Sequence, residues 1–142
     1  MQQIFTGISY HTLDNKNRLF LPQKYRVGNK YVLTYGIDGC IEVYPFEKWH
    51  NIVKKIETIS LKNKTYQRTF IRTFFAEAEI LSIDKQGRLL IPQKFKDKFE
   101  IENEVVVVGN RNKIEIWAKK TWEKYYKDAS KILNMVKSQI DI

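Results

Sequence analysis

An internal repeat constrains this chain more than any other feature of its sequence. Residues 14–25 read Asp-Asn-Lys-Asn-Arg-Leu-Phe-Leu-Pro-Gln-Lys-Tyr, and residues 84–95 read Asp-Lys-Gln-Gly-Arg-Leu-Leu-Ile-Pro-Gln-Lys-Phe, with six identical positions at an offset of 70 residues. Further along, residues 41–44 align with residues 114–117 at an offset of 73 residues. A collinear series of this length is not a chance match, so the chain consists of two copies of one unit.

The repeat also divides the chain. It predicts a first unit over residues 5–57, a helical connector over 58–74, a second unit over 75–125 and a C-terminal helical tail over 126–142. A single unit is too small to bury its own strands, because short chains bury too little apolar surface to fold alone. The predicted fold is therefore α+β, with two tandem repeats interlocked in one β-barrel-like core and helices at its periphery.

Each unit is predicted to run from a short extended segment through a tight turn into a strand that stops at proline. Asn17 and Gly87 align in the two turns, and both residue types accept the left-handed backbone, so we expect φ > 0 at both positions. The strands then span 18–21 and 88–91, because proline lacks the N–H group that a sheet requires. A short helical turn and then a hairpin follow; the hairpins pair 31–35 with 40–44 and 105–108 with 113–117.

Helices are predicted in three places. A closing helix in each unit repeats apolar residues at helical spacing, and we expect these faces to pack on the core. The positions are Phe46, Trp49, Ile52, Val53 and Ile56 in the first unit, and Trp122, Tyr125, Ala129, Ile132, Leu133 and Val136 in the second. A further helix is predicted around residues 63–75, where Arg68 and Arg72 share one face.

The charge of the chain points to a polyanionic partner. Lys and Arg total 25 against 16 Asp and Glu, which gives a formal net charge of +9. The excess is uneven, because residues 43–76 carry seven basic and two acidic side chains, whereas residues 77–117 carry seven and eight. A basic surface of this kind favours nucleic acid, an anionic membrane surface or another polyanion, although lysine also serves simply to keep proteins soluble.

Enzyme and metal motifs are absent from the sequence. Cys40 is the single cysteine, which excludes an intrachain disulfide and a cysteine zinc cluster, and we expect it to be a small buried thiol. His11 and His50 fall on different predicted elements. No phosphate-binding loop, dinucleotide motif or nucleophile elbow occurs. We therefore expect no enzyme activity, no cofactor and no metal site. The sequence shows no signal peptide or apolar span, which is typical of a soluble intracellular protein.

The best candidate site is the pair of turns that begin at Asp14 and Asp84. An Asp in a tight turn accepts hydrogen bonds from backbone N–H groups and fixes the shape of the turn, so we assign Asp14, Asp84 and Gly87 to turn structure. Arg18 and Arg88 either pair with these carboxylates or contact phosphate and guanine, and the two roles can coexist. Asn15, Asn17 and Gln86 add amides that can read base edges, and a hairpin tip is thin enough for a DNA major groove.

At these residues the chain resembles the MraZ family, which belongs to the AbrB-like, swapped-hairpin class of DNA-binding proteins. The resemblance extends from about residue 5 to about residue 125 and rests on two copies of D-x-x-x-R followed by proline, at 14–22 and 84–92. Supporting matches lie at residues 38–45, 68–76, 91–94 and 114–117. One such motif carries little information, but two at equivalent positions of a repeat are specific.

The resemblance implies a sequence-specific bacterial transcription factor that binds its own promoter region, usually in the operon for cell division and the cell wall. It also implies ring-shaped homo-oligomers on tandem repeats of double-stranded DNA, and association with the nucleoid in the cytoplasm. The residues that it assigns to DNA contact are Asn15, Lys16, Asn17 and Arg18 in the first turn, and Lys85, Gln86 and Arg88 in the second. The alternative is a non-specific basic structural module that associates with DNA or RNA.

Acidic neighbours in the sequence predict unequal roles for the two turns. The second motif is flanked by Glu77 and Glu79 on one side and by acidic residues over 97–104 on the other, whereas the first motif has no such flanks. Carboxylates within about a Debye length, ~10 Å at moderate salt, repel phosphates. We therefore expect the first turn to be the main reader of DNA, through Lys16 and Arg18.

Overall fold

The computed structural model describes residues 3–142, which form eight strands and four α-helices. The strands are β1 (Ile8–Thr12), β2 (Arg18–Phe20), β3 (Lys30–Tyr35), β4 (Ile41–Pro45), β5 (Glu79–Ser82), β6 (Arg88–Leu90), β7 (Glu104–Asn110) and β8 (Lys113–Ala118). The helices are α1 (Phe46–Glu57), α2 (Lys64–Glu77), α3 (Gln93–Lys98) and α4 (Lys119–Val136), with short 3₁₀ helices at Gln23–Tyr25 and Lys137–Gln139. The predicted order of elements is the same in both repeats.

The strands of the two repeats pair with each other. Six strands form one sheet in the order β1-β7-β8-β4-β3-β5, and β2 and β6 form a separate two-stranded ribbon. All the strand pairs are antiparallel, and β1–β7, β3–β5, β4–β8 and β2–β6 each join one repeat to the other. Neither repeat therefore completes its own sheet. The predicted α+β class and the interlocking of the repeats are confirmed.

The core draws equivalent residues from both repeats. Leu19 and Leu89 point inward from the centre of the ribbon and are fully buried, whereas Phe20 and Leu90 alternate to the outside, as the period of a strand requires. Leu21 and Ile91, Tyr25 and Phe95 also occupy equivalent positions in the one large apolar cluster. Full burial of a leucine side chain stabilises the fold by about 1.5–3 kcal/mol. Cys40 is buried as expected, and burial raises the pKa of its thiol.

Aromatic stacking joins α2 to α1. Asn63 accepts a hydrogen bond from the backbone N–H of Tyr66 (3.0 Å) and so caps the first turn of α2, as its residue type favours. The ring of Trp49 in α1 stacks on Phe74 of α2 and meets Phe75 edge-on, with centroid distances of 6.0 and 6.1 Å. These contacts turn one side of α2 toward the body of the protein. The helix predicted around residues 63–75 is confirmed.

The expectation that the closing helices bury their apolar faces is wrong for most of α4. Trp122 is buried and packs on Trp117 with a centroid distance of 5.3 Å, but Tyr125, Ile132 and Leu133 are half or more exposed. An 18-residue helix is about 27 Å long, and α4 packs on the sheet mainly through β7 and β8, where Trp122 at its beginning meets Trp117. The helix therefore runs past the sheet and leaves its later apolar residues uncovered. In α1, Ile52 is buried as expected, but Phe46 is exposed.

Candidate nucleic-acid interface

The two turns have the same internal hydrogen bonds. Asp14 Oδ1 accepts from the backbone N–H groups of Lys16 and Arg18, both at 2.9 Å, and Asp14 Oδ2 accepts from Arg18 Nε at 2.7 Å. In the second turn, Asp84 Oδ1 accepts from the backbone N–H groups of Gln86 and Arg88, also at 2.9 Å, and its Oδ2 accepts from Arg88 Nε at 2.7 Å. The predicted pairing of Asp with Arg and the predicted backbone hydrogen bonds are confirmed. This geometry holds each Arg in a fixed direction.

The left-handed position is also present in both turns. Asn17 has a φ of 62° and Gly87 has a φ of 82°. The backbone N–H of each donates to the carbonyl oxygen of the Asp three residues earlier, at 2.9 Å in both turns. The expectation of positive φ at these two aligned positions is confirmed.

Both turn carboxyls are stronger acids than an ordinary Asp. Partial removal from water raises the pKa of Asp14, but the hydrogen bonds from Arg18 and Lys16 and the charge of Arg18 outweigh this, so that the pKa is lowered overall. For Asp84 the backbone hydrogen bond from Arg88 is the largest cause, and the pKa is again lowered. Each carboxylate is therefore ionised at neutral pH and stays paired with its Arg.

The ribbon positions the two turns at its opposite ends. Arg18 lies opposite Leu90 and Phe20 lies opposite Arg88 in the antiparallel pair. Because each strand of the ribbon has three residues, the ribbon between the turns is only about 10 Å long. The carbonyl oxygen of Asn17 accepts from the N–H of Ile91 (2.9 Å), so the first turn is hydrogen-bonded to the second repeat. The carbonyl oxygen of Gly87 accepts from Leu21 (3.0 Å) in the same way.

A cation from the opposite repeat braces each turn. Lys96 Nζ donates to Asn17 Oδ1 at 2.6 Å. Around Gly87, the guanidinium group of Arg26 lies so close that a Cβ on this residue would collide with it, and Arg26 Nε donates to the carbonyl oxygen of Leu21 at 2.8 Å. Sequence reasoning did not assign a role to these cations, although Arg26 and Lys96 align in the repeat and this alignment is the signal that could have found them.

The structure brings all the residues of the proposed DNA contact to the two ends of the ribbon. Asn15 and Lys16 in the first turn are exposed, as are Lys85 and Gln86 in the second. Arg18 and Arg88 keep 26% and 20% of their side-chain surface exposed beside their carboxylates. Asn17 differs from the others, because it is half-buried and its side-chain oxygen is already bound by Lys96. Asn17 therefore holds the turn in this structure.

The acidic flanks of the second motif lie elsewhere than the sequence suggests. Glu104 lies opposite Thr12, and Leu13 donates its N–H to the carbonyl oxygen of Asn103 (2.8 Å), so the acidic end of the 97–104 segment adjoins the first turn. Beside the second turn, Ser82 lies opposite Lys30. Our premise that the acidic residues surround only the second turn is wrong, because interlocked repeats exchange their neighbours.

The two glutamates on the other flank share one lysine. Lys94 Nζ lies 3.3 Å from Glu77 Oε2 and 3.1 Å from Glu79 Oε1. The pKa of Lys94 is raised: its removal from water lowers it, but the hydrogen bonds and charges of the two carboxylates outweigh that effect. Lys94 therefore offsets one of the two negative charges of Glu77 and Glu79.

Residues 3–142 contain no group of three or more His, Cys, Asp or Glu side chains placed to hold a metal ion. Over the same residues, none of the helices combines the length and the apolarity needed to cross a membrane.

The fold and the site define a class of small α+β proteins in which two interlocked repeats present a pair of Asp–Arg turns on one ribbon. The model of the family described as "MraZ protein, putative antitoxin-like" matches residues 4–72 and 74–139. The chain belongs to the MraZ family, and the resemblance in the sequence is confirmed.

Relatives with the name "Transcriptional regulator MraZ" match most of the chain. The protein of Clostridium beijerinckii is 44% identical over 124 residues, which are 86% of this chain and 87% of the relative. The protein of Caldanaerobacter subterraneus subsp. tengcongensis is 39% identical over 133 residues, which are 92% of each chain. The protein of Halothermothrix orenii is 39% identical over 128 residues, which are 89% of each chain.

Proposed function

We propose that this protein is a sequence-specific DNA-binding transcription regulator. The observation that carries the proposal is the pair of equivalent turns, each with the same internal hydrogen bonds, at the two ends of one short ribbon. A two-stranded ribbon fits the major groove of B-DNA, which is about 12 Å wide. Membership of a family whose relatives are named transcriptional regulators supports the same function.

In this proposal each turn supplies one arginine and exposed polar side chains to the DNA. Arg18 and Arg88 are held by their carboxylates through Nε, which leaves the two terminal nitrogen atoms of each guanidinium group directed away from that bond. Such groups bind guanine or phosphate in a bidentate manner. Lys16 and Lys85 contact phosphates, and Asn15 and Gln86 read base edges. Asn17 contributes mainly to the shape of the first turn.

The target is the protein's own promoter region, in the operon for cell division and the cell wall. This part of the proposal follows from the family resemblance, as do the tandem DNA repeats and the location in the cytoplasm at the nucleoid. One subunit with two turns touches few base pairs, which is too little to select a promoter among the competing sites of a genome. Several linked subunits on repeated sites supply the missing selectivity.

We propose that the linked subunits form a homo-oligomeric ring. The support in the structure is the uncovered apolar side of α4, where Tyr125 is 50% exposed, Ile132 is 56% exposed and Leu133 is 61% exposed. Contiguous apolar patches of this kind mark interfaces between proteins. Light scattering in the absence of DNA is expected to give a multiple of the 17.0 kDa chain mass. A monomer at micromolar concentration would contradict the ring.

The second candidate is a basic structural module that binds DNA or RNA without sequence preference. The net charge of +9 favours it, because charge alone supports such binding. The two Asp–Arg turns argue for the regulator instead. Non-specific binding requires positive charge but does not require arginine side chains that are held in a fixed direction.

A titration of the duplex upstream of the protein's own gene tests the proposal. We expect a discrete footprint over repeated short sites, and a scrambled duplex of the same length and composition should bind far more weakly. RNA of the same length is the third probe. Equal affinity for all three would establish the basic module and reject the regulator.

A further inference from the structure

Helix α2 presents a polar face to solvent that the turns do not use. Its outer face, defined here as Thr65, Arg68, Thr69, Arg72 and Thr73, is exposed at every position. Residues four apart lie on one line of a helix, so the two arginines form one row and the three threonines form the adjacent row. The opposite side of α2 carries Phe70 and Phe74, and Phe74 stacks on Trp49.

No carboxylate in residues 3–142 pairs with the arginines of this face. The one hydrogen bond that either guanidinium group makes there is from Arg68 Nη2 to Thr65 Oγ1, at 3.4 Å. Arg18 and Arg88, by contrast, are both paired with Asp. The acidic residue of α2 itself is Glu77 in the last turn, and it is bound by Lys94. The outer face thus offers hydrogen-bond donors and positive charge with no internal partner.

Helix stability does not explain this composition. Threonine is a poorer helix former than alanine, glutamate or lysine, because its branched side chain restricts χ1. Three threonines in one exposed row therefore oppose helix formation rather than favour it. Hydroxyl groups and guanidinium groups together are the side chains that contact the phosphates and sugars of nucleic acids. The chemistry of the face is that of a phosphate-binding surface.

We propose that the outer face of α2 binds the sugar–phosphate backbone of DNA, as a contact separate from the two turns. The proposal rests on the proposed function in one respect, namely that the polyanion is DNA. A row of eight helical residues spans about 12 Å, over which a duplex carries several phosphate charges. The contact adds affinity without sequence preference, because phosphates are the same in every sequence.

A membrane surface fits this face less well. A helix that lies on a membrane inserts its apolar side between the lipids. In α2, Phe74 is stacked on Trp49 and is not available for insertion, and Tyr66 is the one aromatic residue of the helix that is largely exposed, at 68%. The outer face has no large aliphatic side chain, which also distinguishes it from the protein-binding side of an amphipathic helix.

The test is a salt titration of DNA binding with two matched double variants of the full chain. Arg68→Gln with Arg72→Gln removes two charges from the outer face and keeps good helix formers. The control, Lys54→Gln with Lys55→Gln, removes two exposed charges from α1. For each protein, the logarithm of the binding constant is measured against the logarithm of salt concentration, with the promoter duplex and with its scrambled counterpart.

We expect the α2 variant to reduce the salt slope by about 0.9 for each lost phosphate contact, and by the same amount on both duplexes. The control should keep the slope of the unsubstituted protein. A slope equal to that of the unsubstituted protein on both duplexes would overturn the α2 contact and leave the proposed function standing. An equal effect of the control would overturn it too, because general charge would then be the cause.

The outcomes also separate this inference from the regulator itself. If the unsubstituted protein binds both duplexes equally, the regulator is rejected, and a reduced slope for the α2 variant still supports the phosphate contact. If it binds neither duplex, both proposals fail. A loss of binding by the variant to RNA or to phosphatidylserine vesicles, without any loss on duplex DNA, would reassign the face to that polyanion and reject the proposal.

Discussion

The first and second turns share one backbone shape but are held by different side chains. In the first turn the left-handed residue is Asn17, and Lys96 binds its side-chain oxygen. In the second turn it is Gly87, and the guanidinium group of Arg26 fills the space where a side chain would stand. Each repeat therefore supplies the brace for the other repeat's turn. The shape of a turn depends on its partner repeat as much as on its own residues.

The surroundings of the two turns differ less in charge than the sequence predicts. Glu104 lies beside the strand that enters the first turn, but its carboxylate is 3.7 Å from Lys119 Nζ. Lys30 lies beside the strand that enters the second turn. In addition, Arg88 lies over the ring of Phe20 at 5.9 Å, while Arg18 lies opposite Leu90. Acidic residues near both turns are paired with lysines, so the charge of the surroundings does not single out the first turn. We therefore expect the two turns to contribute comparably to DNA binding.

The largest expected effect is the loss of DNA binding on removal of either arginine. Arg18→Ala and Arg88→Ala should each weaken binding to the promoter duplex by about 1–3 kcal/mol, because each removes a contact to guanine or phosphate. The fold should persist, because the backbone N–H groups still hold each Asp. Binding and urea unfolding are measured on the same samples. Loss of cooperative unfolding would show that the arginines serve structure alone. Weaker DNA binding for Arg18→Ala only would show that the first turn is the main reader of DNA.

The next effect concerns stability and the two left-handed positions. Gly87→Ala should lower the free energy of unfolding by about 1–2 kcal/mol, because a side chain at this φ strains the backbone, and Arg26 must move as well. Asn17→Gly should change it by less than about 1 kcal/mol, because glycine accepts the same φ and only the hydrogen bond from Lys96 is lost. Urea unfolding of both variants gives the comparison. Equal losses would mean that the braces are equivalent.

A smaller effect is expected from the exposed lysines of the turns. Lys16→Ala and Lys85→Ala should each reduce the log–log salt slope of DNA binding by about 0.9, which corresponds to one phosphate contact. The two variants should be equal within error, because the acidic neighbours do not favour the first turn. A salt titration from low to moderate ionic strength measures both. A larger change at Lys16 would return the first turn to the leading role.

The smallest effect is on the pH dependence of stability. The pKa of Asp14 and that of Asp84 are both lowered from 3.8 in the folded protein, so their contribution to stability is complete above this value and is lost as the pH falls through the lower, folded pKa. Asp14→Asn and Asp84→Asn should each flatten the acid side of the stability curve. The free energy of unfolding of each variant and of the unsubstituted protein is measured at a series of pH values from neutral to acidic. A curve as steep as that of the unsubstituted protein would show that the carboxylate does not titrate with folding.

The internal repeat allowed much of the fold to be predicted from the sequence. The prediction failed for features that depend on contacts between residues of different repeats. Asn17 and Gly87 were assigned positive φ because residue type and alignment suffice for a local conformation. The contact between Lys96 and Asn17 joins residues far apart in the chain. The pairing of β2 with β6, which belong to different repeats, brings these residues together. The acidic flanks were misplaced for the same reason, because sequence neighbours of a turn are not its spatial neighbours here.

The misjudged burial of α4 has a different cause. Periodicity identifies the residues that share a helix face, but it does not tell how far the sheet extends beneath the helix. Trp122 lies over β8 and is buried, whereas Leu133 lies three turns later and is exposed. The DNA contacts assigned to the two turns stay predictions, as does the division of the chain at residues 57, 74 and 125. The residues concerned are Asn15, Lys16, Asn17, Arg18, Lys85, Gln86 and Arg88.

The pairing of strands from different repeats has a consequence for synthesis on the ribosome. Strand β1 begins at Ile8, but its partner β7 begins at Glu104, so roughly 95 residues are made before the nascent chain can form that pair. At 5–20 residues per second, the N-terminal edge of the protein waits about 5–20 s for its hydrogen bonds. During that interval Tyr25, Leu19 and Leu21 lack the second half of their core. A newly started chain is therefore exposed to chaperones and proteases, or to pairing with another nascent copy, until its own second repeat emerges.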